Sequence, residues 1–575
     1  MQNVEYAKIL SETADLMEIA AEDGFRIRSY RNASNALENH PESIEVILAD
    51  PKRSVTEIPG IGKGIAAVLA EIRHRGSFDR RDELLAKYPP TALEMLKIQG
   101  LGPKSIALII ERFRVTTIDD LERLCQEQKL REVPRMGAKL EEKILRSIGS
   151  YRQSSGRFLL NFATSIVETL LPYLSTDAVE QVTPAGSFRR GRETVGDLDF
   201  IAATSNPADV LDSFVKHPRV TEVLGHGDTK ASVKFGVEGI QVDLRAVPAE
   251  SYGAALMYFT GSKTHNVAIR QRALKMGYTL NEYALTRLDG ETPPHSASSE
   301  EEIYAALGLH WIPPELRENA GEIEAAEKGP LPALVTLDDM KGDVHMHTRE
   351  SDGRASLGEM AEAAAARGYA YIAITDHSKS LAMANGLDEE RAIRFADKVR
   401  EMDQSALPLR VLSGLECDIK RDGAMDLDDS ALSQLDVVIA SIHSYMNLES
   451  AEMTDRLLRA IENPYVSILG HPTGRMLLHR EPFPYDFDAI ATAAAKHGVA
   501  MEINASPERL DLHATLIRIA KSKGCKFVIS TDAHHPKHLL NMRYGVTMAR
   551  RGGLEPADVL NSLPIDRFRS ALRPR

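Results

Sequence analysis

Three cysteines in 575 residues, Cys125, Cys417 and Cys525, are too few and too scattered for a disulfide framework, and none forms a CxxC zinc pair. No run of about 18 apolar residues occurs, so no hydropathic membrane span is expected. The segment MQNVEYAKILSETADLMEIA lacks a secretory pattern, and a cytoplasmic location follows as an expectation. Basic charge is also in short supply. Lys and Arg number 70 against 83 Asp and Glu, a net charge of -13 that excludes wholesale electrostatic coating of nucleic acid. Any DNA contact must come from local positive patches or from backbone amides. What is present, 43% hydrophobic and 27% charged residues, is ordinary soluble globular composition. The length exceeds one core and predicts about three to five structural units.

Residues 1 to 150 read as short amphipathic helices punctuated by glycine turns. Three turns resemble one another: Ile58-Pro-Gly-Ile-Gly62, Ile98-Gln-Gly-Leu-Gly102 and Val133-Pro-Arg-Met-Gly137. From 155 to 250 β-rich runs enter, among them Leu198-Asp-Phe-Ile-Ala-Ala203 and Gly239-Ile-Gln-Val-Asp-Leu244. The stretch 295–340, rich in Glu, Pro and Ala, suits an interdomain connector, with Trp311, the only tryptophan, packed on a neighbouring surface. Beyond 341 short strands alternate with Ala-rich helices, the rhythm of a barrel or doubly wound α/β domain.

Two sets of metal-binding residues stand out, of opposite chemical character. Asp197 and Asp199 lie at i and i+2 of a predicted strand, so they share a face roughly 7 Å apart along the backbone. Asp243 sits on a second predicted strand, between Gln241 and Arg245. Three converging carboxylates suit two magnesium ions about 3.5–4 Å apart, one activating a hydroxyl and one holding a triphosphate. A lone Asp-x-Asp is ordinarily a solvated strand end; Gly186-Ser-Phe-Arg-Arg190-Gly just upstream changes that, because such a turn presents amides, a hydroxyl and guanidinium groups to phosphate. The second set is histidine-rich. His345 and His347 alternate on one predicted strand, and Asp352, His377, Glu416, His443, His471, Asp532 and His534 follow at predicted strand ends. Eleven of the 18 histidines fall between 345 and 538. Imidazole mixed with carboxylate suits zinc, manganese or iron.

GSFRRGRETVGDLDF resembles the nucleotidyltransferase signature of family X DNA polymerases, the group that includes DNA polymerase beta, and Tyr258-Phe-Thr-Gly-Ser262-Lys-Thr-His-Asn266-Val-Ala-Ile-Arg270 is similar to that family's nucleotide-binding segment. The resemblance implies that Asp197, Asp199 and Asp243 are catalytic metal ligands. It implies that Gly186, Ser187 and Arg190 hold the triphosphate, with Gly261 and Ser262 near the incoming nucleotide. Tyr258 and Phe259 would wall the sugar, Asn266 would reach the base edge, and Arg270 would contact the template strand. The glycine turns match the helix-hairpin-helix motif, which grips DNA backbone through amides at helix N-termini, without sequence preference; the DNA-binding candidates are Gly60, Gly62, Gly64, Gly100, Gly102, Lys104 and Gly137. One departure is plain. Val68 stands where the beta polymerase has its Schiff-base lysine, and valine forms no imine; Lys63 lies nearby.

The histidine blocks resemble the polymerase and histidinol phosphatase (PHP) domain, a distorted barrel with a trinuclear metal centre. The resemblance implies one ion on His345, His347, Glu416 and Asp532, a second on Glu416, His443 and His471, and a third on Asp352, His377 and His534. Asp376 and His535 would support the ligands from behind.

The fold expected is therefore multidomain α/β and α+β. It comprises a helical DNA-binding domain (1–85), a helix-hairpin-helix subdomain (86–150), a nucleotidyltransferase palm with mixed sheet (151–248), a nucleotide-binding subdomain (249–315), a linker (316–339) and a (β/α)7 PHP barrel (340–575). The function implied is template-directed filling of short gaps in DNA repair, with a PHP-domain 3′–5′ exonuclease and possible action at abasic sites or blocked 3′ ends. The expected cofactors are Mg2+ or Mn2+ at the aspartates and up to three Mn2+ or Zn2+ ions at the histidines. The expected partners are gapped or primer-template DNA and deoxynucleoside triphosphates, with no membrane and a monomeric chain. The rivals are a small-molecule phosphatase of the histidinol-phosphate type with a regulatory N-terminal part, and a non-catalytic scaffold for DNA ends.

Overall fold

Amphipathic helices fill the first 154 residues of the computed structural model, which describes residues 1–575 apart from 2, 39, 41, 97, 99, 133–135, 155, 237, 290–296, 404–408, 479, 481 and 573–575. Each helix buries one stripe: Ile65, Leu69 and Ile72 on Lys63–Arg75, and Ile106, Ile109 and Ile110 on Pro103–Phe113. Those stripes meet Tyr6, Leu10, Leu16 and Ile144 in one apolar cluster. The first helix named stops at Gly76, whose φ of 72° is a left-handed cap.

The chain divides into two units, the first formed by Met1–Phe158, Leu170–Gly186 and Val195–Phe259. Besides the helices it holds a five-stranded sheet ordered Gln181–Pro184, Asp197–Ala203, Ile240–Val247, Lys230–Phe235, Val220–His226. The second and third strands run parallel and the other neighbours antiparallel, so the sheet is mixed. Ile201, Ala203 and Val247 pack under Tyr252, Ala255 and Leu256 of the helix Tyr252–Thr260.

The second unit, Leu159–Thr169, Ser187–Thr194 and Thr260–Arg575, is built on seven parallel strands in sequential order. They are Gly342–Asp343, Tyr371–Ile374, Arg410–Asp418, Val437–Ser441, Ile468–Leu469, Ala500–Asn504 and Phe527–Ser530. Both faces of every strand are covered, which is why the sequence reads as near-continuous apolar runs. One parity (Tyr371, Ala373, Leu412, Val437, Ile439, Ala500, Val528) fills the barrel interior with Phe568 and Leu572. The other (Ile372, Ile374, Val411, Val438, Met501, Ile529) faces the helices. The barrel is nearly closed: Met346 bridges to Ala533, and His347 N–H donates to the Ala533 carbonyl at 2.8 Å.

Within the stretch 316–339, expected as a linker, several residues are packed. Arg317 is fully buried with both Nη atoms on Glu300, the helix Glu322–Lys328 buries Ile323 and Ala326, and Val335 N–H donates to Leu554. Two of its acids are buried in ion pairs, Glu318 with Arg190 and Glu322 with His265. Trp311 is exposed at 36%, its indole N–H donating to Glu300 at 3.3 Å. Among the described residues no helix is long and apolar enough to cross a membrane.

Candidate functional site

The parallel register sets Asp199 opposite Asp243 and Asp197 opposite Gln241, whose amide donates to Asp243 at 3.0 Å. Burial, then the neighbouring Asp197 and Asp243, push the Asp199 carboxyl up to about 7, and burial with Asp243 raises Asp197. A carboxylate crowded by two others forms with them a cradle for cations, and an all-oxygen donor set suits hard divalent ones. Lys230 shows the same demand, its Nζ lying 2.5 Å from Asp243 Oδ2. Gly186, at φ 62°, lets the chain pass over this cradle: a Cβ there would lie 2.6 Å from Asp199 Oδ2.

The helix Tyr252–Thr260 ends on Tyr258 and Phe259, whose rings meet edge to face with centroids 5.0 Å apart, and the Arg245 guanidinium lies 4.1 Å from the Phe259 centroid. Within the second unit, Ser262 caps the helix Lys263–Lys275 by accepting from His265 N–H. Asn266 and Arg270 stand one turn apart on that helix, half-buried and exposed respectively. Arg190 donates from Nη1 to the Thr260 carbonyl at 2.5 Å and from Nε to Glu318 at 3.2 Å; a Cβ on Gly261 would lie 3.2 Å from the same Nη1. Ser187 accepts at its carbonyl from Arg192 N–H, closing the turn.

At the C-terminal ends of the barrel strands all nine expected donors gather. Glu416 Oε1 lies 2.8 Å from His471 and 3.3 Å from His443; its Oε2 lies 2.9 Å from His377, 3.4 Å from His345 and 3.6 Å from His347. Asp532 is 3.1 Å from His347, and Asp352 is 3.5 Å from both His377 and His534. Three sets are close enough to share an ion: His347, Asp352, His377 and His534; His345, His347 and Asp532; His377, Glu416 and His443. His471 lies against Glu416, and His347 and His377 each fall in two of these sets. These rings are shared because they lie in the middle of the row, His347 only 4.3 Å from His377 and 4.1 Å from His534 between centroids.

Electrostatics agree with a cation site. Burial opposes charge on His377 and His443, yet Glu416, joined by Asp352 at the first and Asp418 at the second, outweighs it and lifts them to about 10 and about 9. Burial, His377 and His534 drive His347 down to about 3. The Glu416 and Asp532 carboxyls, against the cost of burial, are held well below the usual range by surrounding imidazoles. His345 Nε2 and His347 Nδ1 are buried without a hydrogen-bond partner among the described residues, as ligand atoms awaiting a metal would be.

Three supporting residues escaped sequence reading. Glu502 accepts from His345 Nδ1 at 2.6 Å, from His471 N–H at 2.5 Å and from Ser530 at 2.7 Å. Asp418 meets His443 Nδ1 at 3.0 Å, and Asn504 donates to Asp532 at 3.1 Å. The available signal was polar residues at alternate positions, Glu502 and Asn504, in an otherwise apolar strand. Asp376 turns instead to Thr348 and Ser351 and shapes the loop carrying Asp352. His535 accepts from Lys537 N–H and caps its own turn, away from the role expected of it.

Gly62 and Gly102 are the N-caps of the helices Lys63–Arg75 and Pro103–Phe113, with Gly64 and Lys104 exposed in the first turns. Gly60 and Gly100 take φ of 97° and 100°, and a Cβ on Gly100 would press Leu140 at 2.9 Å. Exposed Gly137 precedes the helix Ala138–Ser154; Val133, Pro134 and Arg135 of that third turn lie outside the described residues. Val68 packs against the apolar cluster of the first unit.

Residues 1–78 match the helix-hairpin-helix domain, 92–150 the SAM-like helix-hairpin-helix tandem, 255–318 the DNA polymerase beta thumb and 343–506 the PHP domain. The chain is 38% identical over 565 residues to the DNA polymerase/3′-5′ exonuclease PolX of Bacillus subtilis strain 168, covering 98% of each. It is 30% identical over 232 residues to a probable phosphatase of Edwardsiella ictaluri, covering 39% of this chain and 90% of that protein. A probable phosphatase of Thermoanaerobacter sp. strain X514 is 28% identical over 231 residues, 38% of this chain and 89% of its own.

Proposed function

The chain belongs to the bacterial-type family X DNA polymerases with a C-terminal PHP domain, and from that premise we propose that it fills short gaps in DNA during repair and trims 3′ ends at the barrel. It is a metal-dependent DNA polymerase and 3′–5′ exonuclease acting on DNA and nucleotides. The observation that carries the residue assignment is the parallel register that sets Asp199 across from Asp243.

In this reading Asp197, Asp199 and Asp243 hold Mg2+ or Mn2+, and the nine barrel donors hold up to three Mn2+ or Zn2+ ions. Such ions, when bound, lower the pKa of an attacking hydroxyl or water and stabilise the leaving oxygen. The protein's own part in synthesis is to hold and to exclude. Ser187 and Arg190 grip the triphosphate while the primer 3′ oxygen bonds to the α-phosphorus and pyrophosphate departs. Tyr258 and Phe259 bar a ribose 2′-hydroxyl, Asn266 meets the base edge and Arg270 the template strand. Gly60, Gly62, Gly64, Gly100, Gly102, Lys104 and Gly137 offer amides and one ammonium to DNA phosphates, which explains how an acidic chain binds DNA. At the barrel, Glu502 keeps the proton of His345 on Nδ1, so that Nε2 faces the site as a lone pair. The domain limits, monomeric state and cytoplasmic location set out above belong to the same proposal. The small-molecule phosphatase reading draws on relatives that match only 38% or 39% of this chain.

The test is a one-nucleotide gapped substrate, with and without nucleotides, in Mg2+ and then Mn2+. Asp197→Ala with Asp199→Ala should abolish extension and spare 3′ degradation; His345→Ala with His347→Ala should do the reverse. Equal loss of both activities in either pair would refute two separate centres.

A further inference from the structure

The turn carrying Arg190 does not stand alone in the second unit; it is mounted on the PHP barrel. Arg551, at the end of the helix Met542–Arg551 and 3% exposed, donates from Nη1 to the Arg190 carbonyl at 2.6 Å. The same nitrogen lies 3.3 Å from Glu318 Oε1, the atom that accepts from Arg190 Nε at 3.2 Å. Arg192 approaches that oxygen to 3.9 Å. One residue on, Gly191 takes φ 66°, and a Cβ there would come 2.2 Å from Thr547 Cγ2 on the same barrel helix. Glu193 follows, with Arg475 of the barrel 3.6 Å from its carboxylate; Arg475 Nε in turn donates to the Arg509 carbonyl at 2.9 Å.

We propose that Arg551 is a positioning residue for DNA synthesis, supplied by the nuclease domain, which fixes Arg190 in place to receive the nucleotide triphosphate. The inference rests on the assignment of Arg190 to the triphosphate. Three guanidinium groups in one buried place would repel; Glu318 and Glu193 make the arrangement tolerable. Against the cost of burial, Arg551, Arg190 and Arg192 hold the Glu318 carboxyl below its usual range, and Arg551, Arg192 and Arg475 do the same for Glu193. With Arg551 removed, Glu318 would be left to Arg190 and Arg192, drawing Arg190 into a closed ion pair, and the turn would lose the donor to its backbone. A triphosphate would then compete with Glu318 for Arg190, so the loss should fall on nucleotide affinity.

The experiment compares the full chain with Arg551→Met and Arg551→Lys on gapped DNA in Mg2+. Hydrogen bonds to charged groups are worth enough that KM for the nucleotide should rise about tenfold or more in Arg551→Met, with kcat little changed. Arg551→Lys, which keeps a cationic donor, should fall between the two. Exonuclease rate and barrel metal content should stay at wild-type values, and amide exchange in residues 187–194 should accelerate. If Arg551→Met leaves both KM and the exchange of 187–194 unchanged, the proposal is wrong. Should the Met variant lose its barrel metal and so report misfolding, the Arg551→Lys chain carries the test, and an unchanged KM with unchanged exchange of 187–194 there overturns the proposal. A wild-type chain without synthesis would overturn the Arg190 assignment, while the exchange readout would still judge the mounting.

Discussion

Asp199→Asn should stabilise the metal-free protein, increasingly as pH rises from about 4 to about 7. The folded chain raises the Asp199 carboxyl from 3.8 to about 7, roughly three units at about 1.4 kcal/mol each, which caps the cost of ionising it near 4 kcal/mol. Asp197 is coupled to Asp199, so about 2–4 kcal/mol is the working range. An acid that holds its proton more tightly when folded destabilises the fold as it ionises: the penalty is absent below pH 3.8, grows through the interval to about 7, and is complete above it. Asparagine never ionises. In chelator, amide exchange across Asp197–Ala203 should therefore be slower in the variant at pH 8, by about thirtyfold or more, with the advantage shrinking as pH falls and vanishing below pH 3.8. Saturating Mg2+ should erase the advantage, because the wild-type carboxylates then gain their counter-charge. A variant-to-wild-type ratio that does not change with pH would show that Asp199 is not crowded by like charge, and the cradle would lose its electrostatic basis.

Three further outcomes are expected. Gly186→Ala drives a methyl to 2.6 Å from Asp199 Oδ2, and at φ 62° it also strains the turn; synthesis should drop about 100-fold while 3′ degradation persists, read on gapped DNA. Glu502→Gln replaces an acceptor of several donors by an amide that offers one acceptor and a donor, so barrel metal affinity should weaken about 10–100-fold by calorimetric titration, with gap filling untouched. His377 and His443, raised to about 10 and about 9 without metal, must shed protons to bind it; affinity should grow as pH rises from 6 to 9, and heats measured in buffers of different ionisation enthalpy should diverge, whereas identical heats would contradict the shifts.

Much of this was legible because function here is written in local spacing. Asp197 and Asp199 share a strand face by the pleat alone, and interior strand parity explains why Glu416 falls in line with Leu412. What spacing could not supply is register and sharing. That Asp243 pairs with Asp199 depends on how two strands align across a crossover, and that His347 and His377 each serve two sets depends on ring positions in space. Glu502 was hidden for a different reason: a carboxylate inside an apolar strand looks like an error until the imidazole it serves, 157 positions earlier, is beside it. The stretch 316–339 is hard to read from composition, since Pro and Glu signal solvent while Glu318 and Glu322 are buried against Arg190 and His265.

The seam where the barrel meets itself has a consequence for how the protein is born. His347 finds Asp532 across 185 residues of chain, and His345 and His534 likewise come from opposite margins of the fold. Pairings that distant form late. A ribosome must release almost the whole polypeptide before the cutting centre can exist, so an unfinished chain carries no blade.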